Sequence, residues 1–148
     1  MYKILSWLAL ILWMGLIFFL SQQPATESNE LSRIITEYIV KIVAMVHLDA
    51  DFNINNSSIR EYAHFLAYLI LGILVTIILQ VIGIRGIRGM GLALLLCVFY
   101  AVFDEIHQIF SPGRGIQLKD VFVDSFGAGV GIIIVWVIGW IGERGGTR

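Results

Sequence analysis

The residues best equipped for chemistry lie in one run, Asp104-Glu105-Ile106-His107-Gln108-Ile109-Phe110-Ser111-Pro112-Gly113-Arg114, placed where a long apolar stretch ends. Ionisable groups at the bilayer centre cost roughly 2.5–3.5 kcal/mol each on insertion scales, so they face a bundle interior, a wet cavity or a partner. A functional site is the default reading of such a run. Three other segments bring similar residues: Ser21-Gln22-Gln23-Pro24, Arg60-Glu61-Tyr62-Ala63-His64, and Lys119-Asp120 to Asp124.

Three chemistries fit this set. His64, Asp104, Glu105, Asp120 and Asp124 form a His-plus-carboxylate group of the kind that suits Zn, Mn or Mg, although no compact signature such as His-Glu-x-x-His is present. His64 with Asp104 or Glu105 orienting it can act as a general base, giving these three as catalytic candidates. In the third reading the acids are neutralised by Arg60, Arg114 and Lys119, which locks the helix ends together. Arg114 sits on a Pro-Gly turn and can grip a phosphate or carboxylate in two-point fashion.

Helical spacing narrows the set. Asp104 and Gln108 are i, i+4, as are Arg60 and His64, His64 and Tyr68, and Asp120 and Asp124, so each pair shares a face. Arg60, Tyr68, Gln108, Arg114, Asp120 and Asp124 are therefore the ligand-binding candidates. Glu105 points away from Asp104, and His107 reads as an interfacial bystander.

The elements that must position these groups are membrane spans. The 148 residues are 58% hydrophobic and 14% charged, with mean hydropathy +0.86, too little polar surface to coat a soluble domain of this size. A formal net charge of −1 without clustered Lys and Arg argues against nucleic-acid binding. Cys97 is the single cysteine, which excludes an intramolecular disulfide. Apolar segments at about 4–20, 62–84, 89–110 and 121–141 each approach the length of roughly 20 residues that a bilayer requires. The expected fold is an all-α membrane protein of four transmembrane helices in a single domain. The first segment reads as a retained anchor, because no Ala-x-Ala-like cleavage site follows it.

Lys3, Arg85, Arg88, Arg144 and Arg148 fall on one side, and the short basic turn 84–89 carries most weight in assigning that side to the cytoplasm. Both termini are then cytoplasmic, and the four polar segments meet at the outer face, at the depth of lipid headgroups. Between the first two spans, Leu31, Ile34, Ile35, Tyr38, Ile39, Ile42, Val43 and Val46 keep a helical rhythm that predicts an external amphipathic helix over about 30–47. Trp7, Trp13, Trp136 and Trp140 read as headgroup-level anchors. Gly127 and Gly131 are four apart, a spacing that lets helices approach closely, within the chain or between two copies.

Together, Ser21-Gln22-Gln23-Pro24, Tyr62-Ala63-His64-Phe65 with Tyr68, and Asp104-Glu105-x-x-Gln108-x-Phe110-x-Pro112-Gly113-Arg114 followed by Asp120-Val121 resemble the VanZ-like family of bacterial membrane proteins over nearly the whole chain. The resemblance marks His64, Asp104, Glu105, Gln108, Arg114 and Asp120 as the recurring polar set. It implies a bacterial inner-membrane location and a link to susceptibility to the glycopeptide teicoplanin, after the member that names the family. Asp124 stands where Asn is expected, and Gln117 where a small polar residue is usual. The resulting expectation is an outward polar pocket engaging a lipid-linked or peptidoglycan-related envelope component. The alternatives are a membrane hydrolase or transferase acting on envelope lipids, and a non-catalytic scaffold.

Overall fold

The computed structural model describes residues 2–23, 30, 33–35, 37, 56–112, 115 and 117–145. Within them the chain is helical and contains no strand: α1 (Tyr2–Ser21), α2 (Asn56–Val81), α3 (Gly86–Gln108) and α4 (Leu118–Gly145). All four are long and apolar enough to cross a membrane. Their exposed faces carry large side chains such as Leu12, Phe99 and Phe122, the surface that lipid wets. The chain is thus a multi-pass membrane protein. The amphipathic helix expected over 30–47 lies outside the described residues, apart from 30, 33–35 and 37, which are helical.

The helix boundaries differ from the apolar segments in an instructive way. α2 starts at Asn56, six residues before the apolar stretch, and α4 starts at Leu118. The segments that open both helices are polar, and Arg60 and Glu61 of α2 meet Asp120 and Lys119 of α4, so hydropathy alone does not reveal them. The turn between α2 and α3 falls earlier than the basic motif suggests. Gly83 (φ +95°) and Gly86 (φ +67°) take left-handed conformations, which glycine adopts without a Cβ penalty. The Ile84 N–H closes α2 by donating to Leu79 C=O at 2.8 Å.

α2 and α4 form the tightest pair. A Cβ built on Gly72 would collide with the backbone of Ala128, on Gly127 with that of Phe65, and on Gly131 with that of Leu69. The two helices run parallel, as the second and fourth spans of a chain that crosses at each helix must. The glycine spacing is used inside the chain, where small residues allow close contact in lipid.

α3 packs through a second small stripe: Gly89, Ala93, Cys97 and Ala101, each four residues from the last, are buried. That stripe continues into Asp104, Glu105 and Gln108, also buried. Tyr68 and Leu71 of α2 fill the centre of the core against it.

α1 is pinned by hydrogen bonds at several heights. The Trp13 indole N–H donates to Ala67 C=O at 2.9 Å, and the Tyr100 hydroxyl to Met14 C=O at 2.6 Å. Trp13 is therefore an interhelical tie, and its polar edge serves the bundle instead of the headgroup layer. Lower-dielectric surroundings strengthen such contacts, each contributing on the order of 1 kcal/mol net.

Candidate functional site

The polar cluster is built from two rows of side chains on the parallel helices. On α2, Arg60 and His64 are one turn apart; on α4, Asp120 and Asp124 have the same spacing. The rows meet rung for rung. Arg60 Nη2 lies 3.4 Å from Asp120 Oδ2, and His64 Nδ1 lies 3.2 Å from Asp124 Oδ1. Asp120 and Asp124 are almost fully buried, so each needs its partner's positive or N–H-bearing group. At the rim, Lys119 Nζ reaches Glu61 at 2.6 Å, an exposed pair of the kind that contributes little to stability.

α3 brings three more groups. Gln108 Nε2 donates to Ser21 Oγ at 2.8 Å, and one turn of chain further the Ser111 hydroxyl donates to Gln22 C=O at 3.0 Å. These bonds fasten the end of α1 to the end of α3 and give the Ser21-Gln22 motif its structural work. Glu105 is buried despite its angular offset from Asp104, and it accepts a hydrogen bond from the backbone N–H of Gln117. The side chain of residue 117 is not what Glu105 uses, so a family departure there leaves this contact intact.

Asp104 is different. It is 1% exposed, and neither carboxylate oxygen makes a hydrogen bond of ordinary geometry among the described residues. Ser21, His64, Asp124 and Glu105 lie within electrostatic range of it. Two neighbours share the deficit: the Tyr68 hydroxyl and Arg60 Nε are also buried without partners. Buried polar groups normally find partners, and an unpaired one costs about 1–3 kcal/mol. Asp104 lies four residues before the end of α3, about 6 Å at 1.5 Å per residue, within the outer part of the span.

Arg60, His64 and Tyr68 border a cavity of about 300 Å³ between α1 and α2. Its remaining wall is mostly apolar, including Trp13, Leu16 and Leu66. Leu16 and Leu66, which line it, are also exposed. Ile35, one of the few described residues between α1 and α2, borders it as well.

Of the site residues expected from sequence, Arg60, His64, Asp104, Glu105, Gln108, Asp120 and Asp124 lie toward one end of the bundle, and Tyr68 lies deeper, at the centre of the core. Arg114 lies outside the described residues. His64 is oriented by Asp124, in place of the Asp104 or Glu105 expected to partner it. Among the described residues no group of three His, Cys, Asp or Glu side chains could hold a metal ion, because these carboxylates are spread over separate contacts. Two contributors escaped the sequence reading: Tyr100, which ties α3 to α1, and Ser111, which caps the same junction. The small-residue stripe running into Asp104 was the available signal for how α3 faces the core. His107 lies between Phe18 of α1 and Phe103, ring centroids 5.0 Å away in each case.

The fold and site define a class: a membrane protein with four helices able to span a bilayer and buried carboxylates toward one end of its bundle. A family model described as VanZ/LLP1 matches residues 6–139, and the chain belongs to the VanZ-like family. No curated protein and no solved structure matches it.

Proposed function

We propose that this VanZ-like protein engages the polar headgroup of a lipid-embedded envelope molecule in the cavity between α1 and α2, and so affects glycopeptide susceptibility in a bacterial inner membrane. The observation that carries this reading is a mostly apolar cavity bordered by Arg60, His64 and Tyr68, two of which pair with buried aspartates of α4. A ligand with a polar end and a hydrocarbon tail satisfies both halves. The basic turn at Arg85 and Arg88 supports cytoplasmic termini and an outward-facing pocket, where lipid-linked cell-wall intermediates are used.

Alanine at His64 or Asp104, in a host whose teicoplanin susceptibility responds to the wild-type protein, is expected to abolish that response at unchanged protein level. An unchanged response with both variants overturns the pocket reading.

A second reading is favoured by one contact. His64 borders the cavity and is oriented through Nδ1 by Asp124, the arrangement of a general base. The protein would then be a hydrolase or transferase acting on an envelope lipid. Turnover of polyprenyl-phosphate substrates by purified protein, lost in His64→Gln, tests it; absence of turnover returns the site to binding alone.

A further inference from the structure

The two charged rungs have a front and a back. Arg60 and His64 border the α1–α2 cavity, with side chains 23% and 14% exposed, whereas Asp120 and Asp124, which hold them from α4, are only 4% and 3% exposed and stand outside its lining. Among the described residues that lining contains no aspartate or glutamate. An occupant therefore meets the N–H-bearing side of each pair, with the acid behind it. Arg60 reaches Asp120 through Nη2, which leaves Nη1 without a partner among the described residues. With Nδ1 of His64 set against Asp124, Nε2 is the ring nitrogen left for a ligand, and in the charged ring it donates.

The cavity is also graded along its length. Trp13 N–H meets Ala67 C=O, which fixes how α1 and α2 lie alongside each other. Gln23, just past the end of α1, and Arg60, near the start of α2, line one end; Trp13, Leu66 and Ile70 line the part further into the bundle. Arg60 to Ile70 is about 15 Å along the helix at 1.5 Å per residue. A polar end followed by an apolar wall matches the head and first methylenes of an amphiphile.

Resting on the pocket reading above, we propose that this cavity takes an anionic lipid by its phosphate, with Arg60 and His64 as the donors and the hydrocarbon laid along Leu66 and Ile70. Guanidinium is the side chain best matched to phosphate, because its forked N–H groups bind two acceptors at once. Arg60 and His64 approach from α2 and Gln23 from across the cavity, so a tetrahedral group with oxygens in more than one plane suits them better than a flat carboxylate. A headgroup that ends in a cation finds no carboxylate in the described lining to receive it.

The test uses the purified full chain in detergent, its thermal transition followed during titration with four lipids on the same dioctanoyl tails: phosphatidic acid, phosphatidylglycerol, phosphatidylcholine and dioctanoylglycerol hemisuccinate. Phosphatidylcholine keeps the phosphate but cancels its charge, and the hemisuccinate replaces the phosphate with a carboxylate. Half-saturation by the first two is expected at a concentration about tenfold or more lower than for the last two, the loss that follows when a hydrogen bond to a charged group is not made. Arg60→Gln combined with Asp120→Asn, which removes the donor fork without stranding the acid, should erase most of that preference. If this variant does not fold, the four headgroups on the wild-type chain still decide.

Phosphatidylcholine or the hemisuccinate binding as tightly as phosphatidic acid, with an effect abolished by plugging the cavity with Leu66→Trp, overturns the anionic-phosphate assignment and leaves the pocket reading standing. An Arg60→Gln/Asp120→Asn protein that keeps its full preference overturns the assignment of Arg60. The absence of any lipid effect that responds to Leu66→Trp overturns both this proposal and the pocket reading.

Discussion

His64 and Asp124 meet at 3.2 Å across the α2–α4 interface, one turn deeper than Arg60 and Asp120 at 3.4 Å. Both contacts join residues 60 positions apart, so the parallel register of the two helices is written twice in charge. The glycine contacts of Gly72, Gly127 and Gly131 write it again in shape.

The first prediction concerns that shape. Gly131→Val and Gly127→Val push a side chain into the backbone of Leu69 and Phe65, where no rotamer change on the neighbour relieves the collision. Overpacking of this kind costs about 1–3 kcal/mol or more. Thermal unfolding in detergent should show a clear drop for both, and a much smaller one for Gly129→Val, where nothing lies within 4 Å.

Breaking a buried pair from one side leaves the other charge or polar group stranded. His64→Leu alone or Asp124→Leu alone should destabilise by about 3–5 kcal/mol, whereas the double variant recovers much of the loss, since an apolar pair can replace an ionic one. A double-mutant cycle read by thermal or denaturant unfolding measures the coupling. Additive losses would contradict the contact.

Asp104 should behave in the opposite way. Its oxygens make no hydrogen bond of ordinary geometry among the described residues, so Asp104→Asn removes a charge from the core without breaking a contact of that kind. Stability should hold or rise while the glycopeptide phenotype is lost, the signature of a group retained for function at the expense of stability. A large fall in unfolding temperature would instead make Asp104 structural.

α1 is predicted to loosen selectively. Trp13→Phe keeps most of the ring but removes the N–H donated to Ala67, at a cost of about 0.5–1.5 kcal/mol. Crosslinking between cysteines placed at Leu16 and Leu66, which line the same cavity, should become less efficient in that background.

Topology can be read with cysteines, because Cys97 is buried and its replacement by Ala leaves a silent background. A membrane-impermeant maleimide added to intact cells should label Leu118→Cys and not Arg88→Cys; the reverse pattern would invert the protein in the membrane.

Much of this architecture was legible in the chain. Length and apolarity gave the four spans, and i, i+4 spacing put Arg60 with His64 and Asp120 with Asp124 on single faces. What spacing on one helix does not carry is the register between two. That Asp124, and not Asp104, would orient His64 depends on how far α4 slides along α2, which Gly127 and Gly131 fix through backbone contact. The polar starts of α2 and α4 were invisible to hydropathy for a related reason: residues such as Glu61 and Lys119 look like loop until a neighbouring helix supplies their partner. Trp13 misled because an amphipathic ring suits a bilayer interface and an interhelical hydrogen bond equally well.

The pairing of rungs also has a consequence for biogenesis. Arg60 and His64 leave the ribosome 60 residues before Asp120 and Asp124 exist, so α2 enters the membrane region with its polar face unmatched. Only the last helix to be synthesised supplies the matching acids. A nascent chain arrested before α4 therefore lacks the acids that pair with Arg60 and His64 in the finished fold.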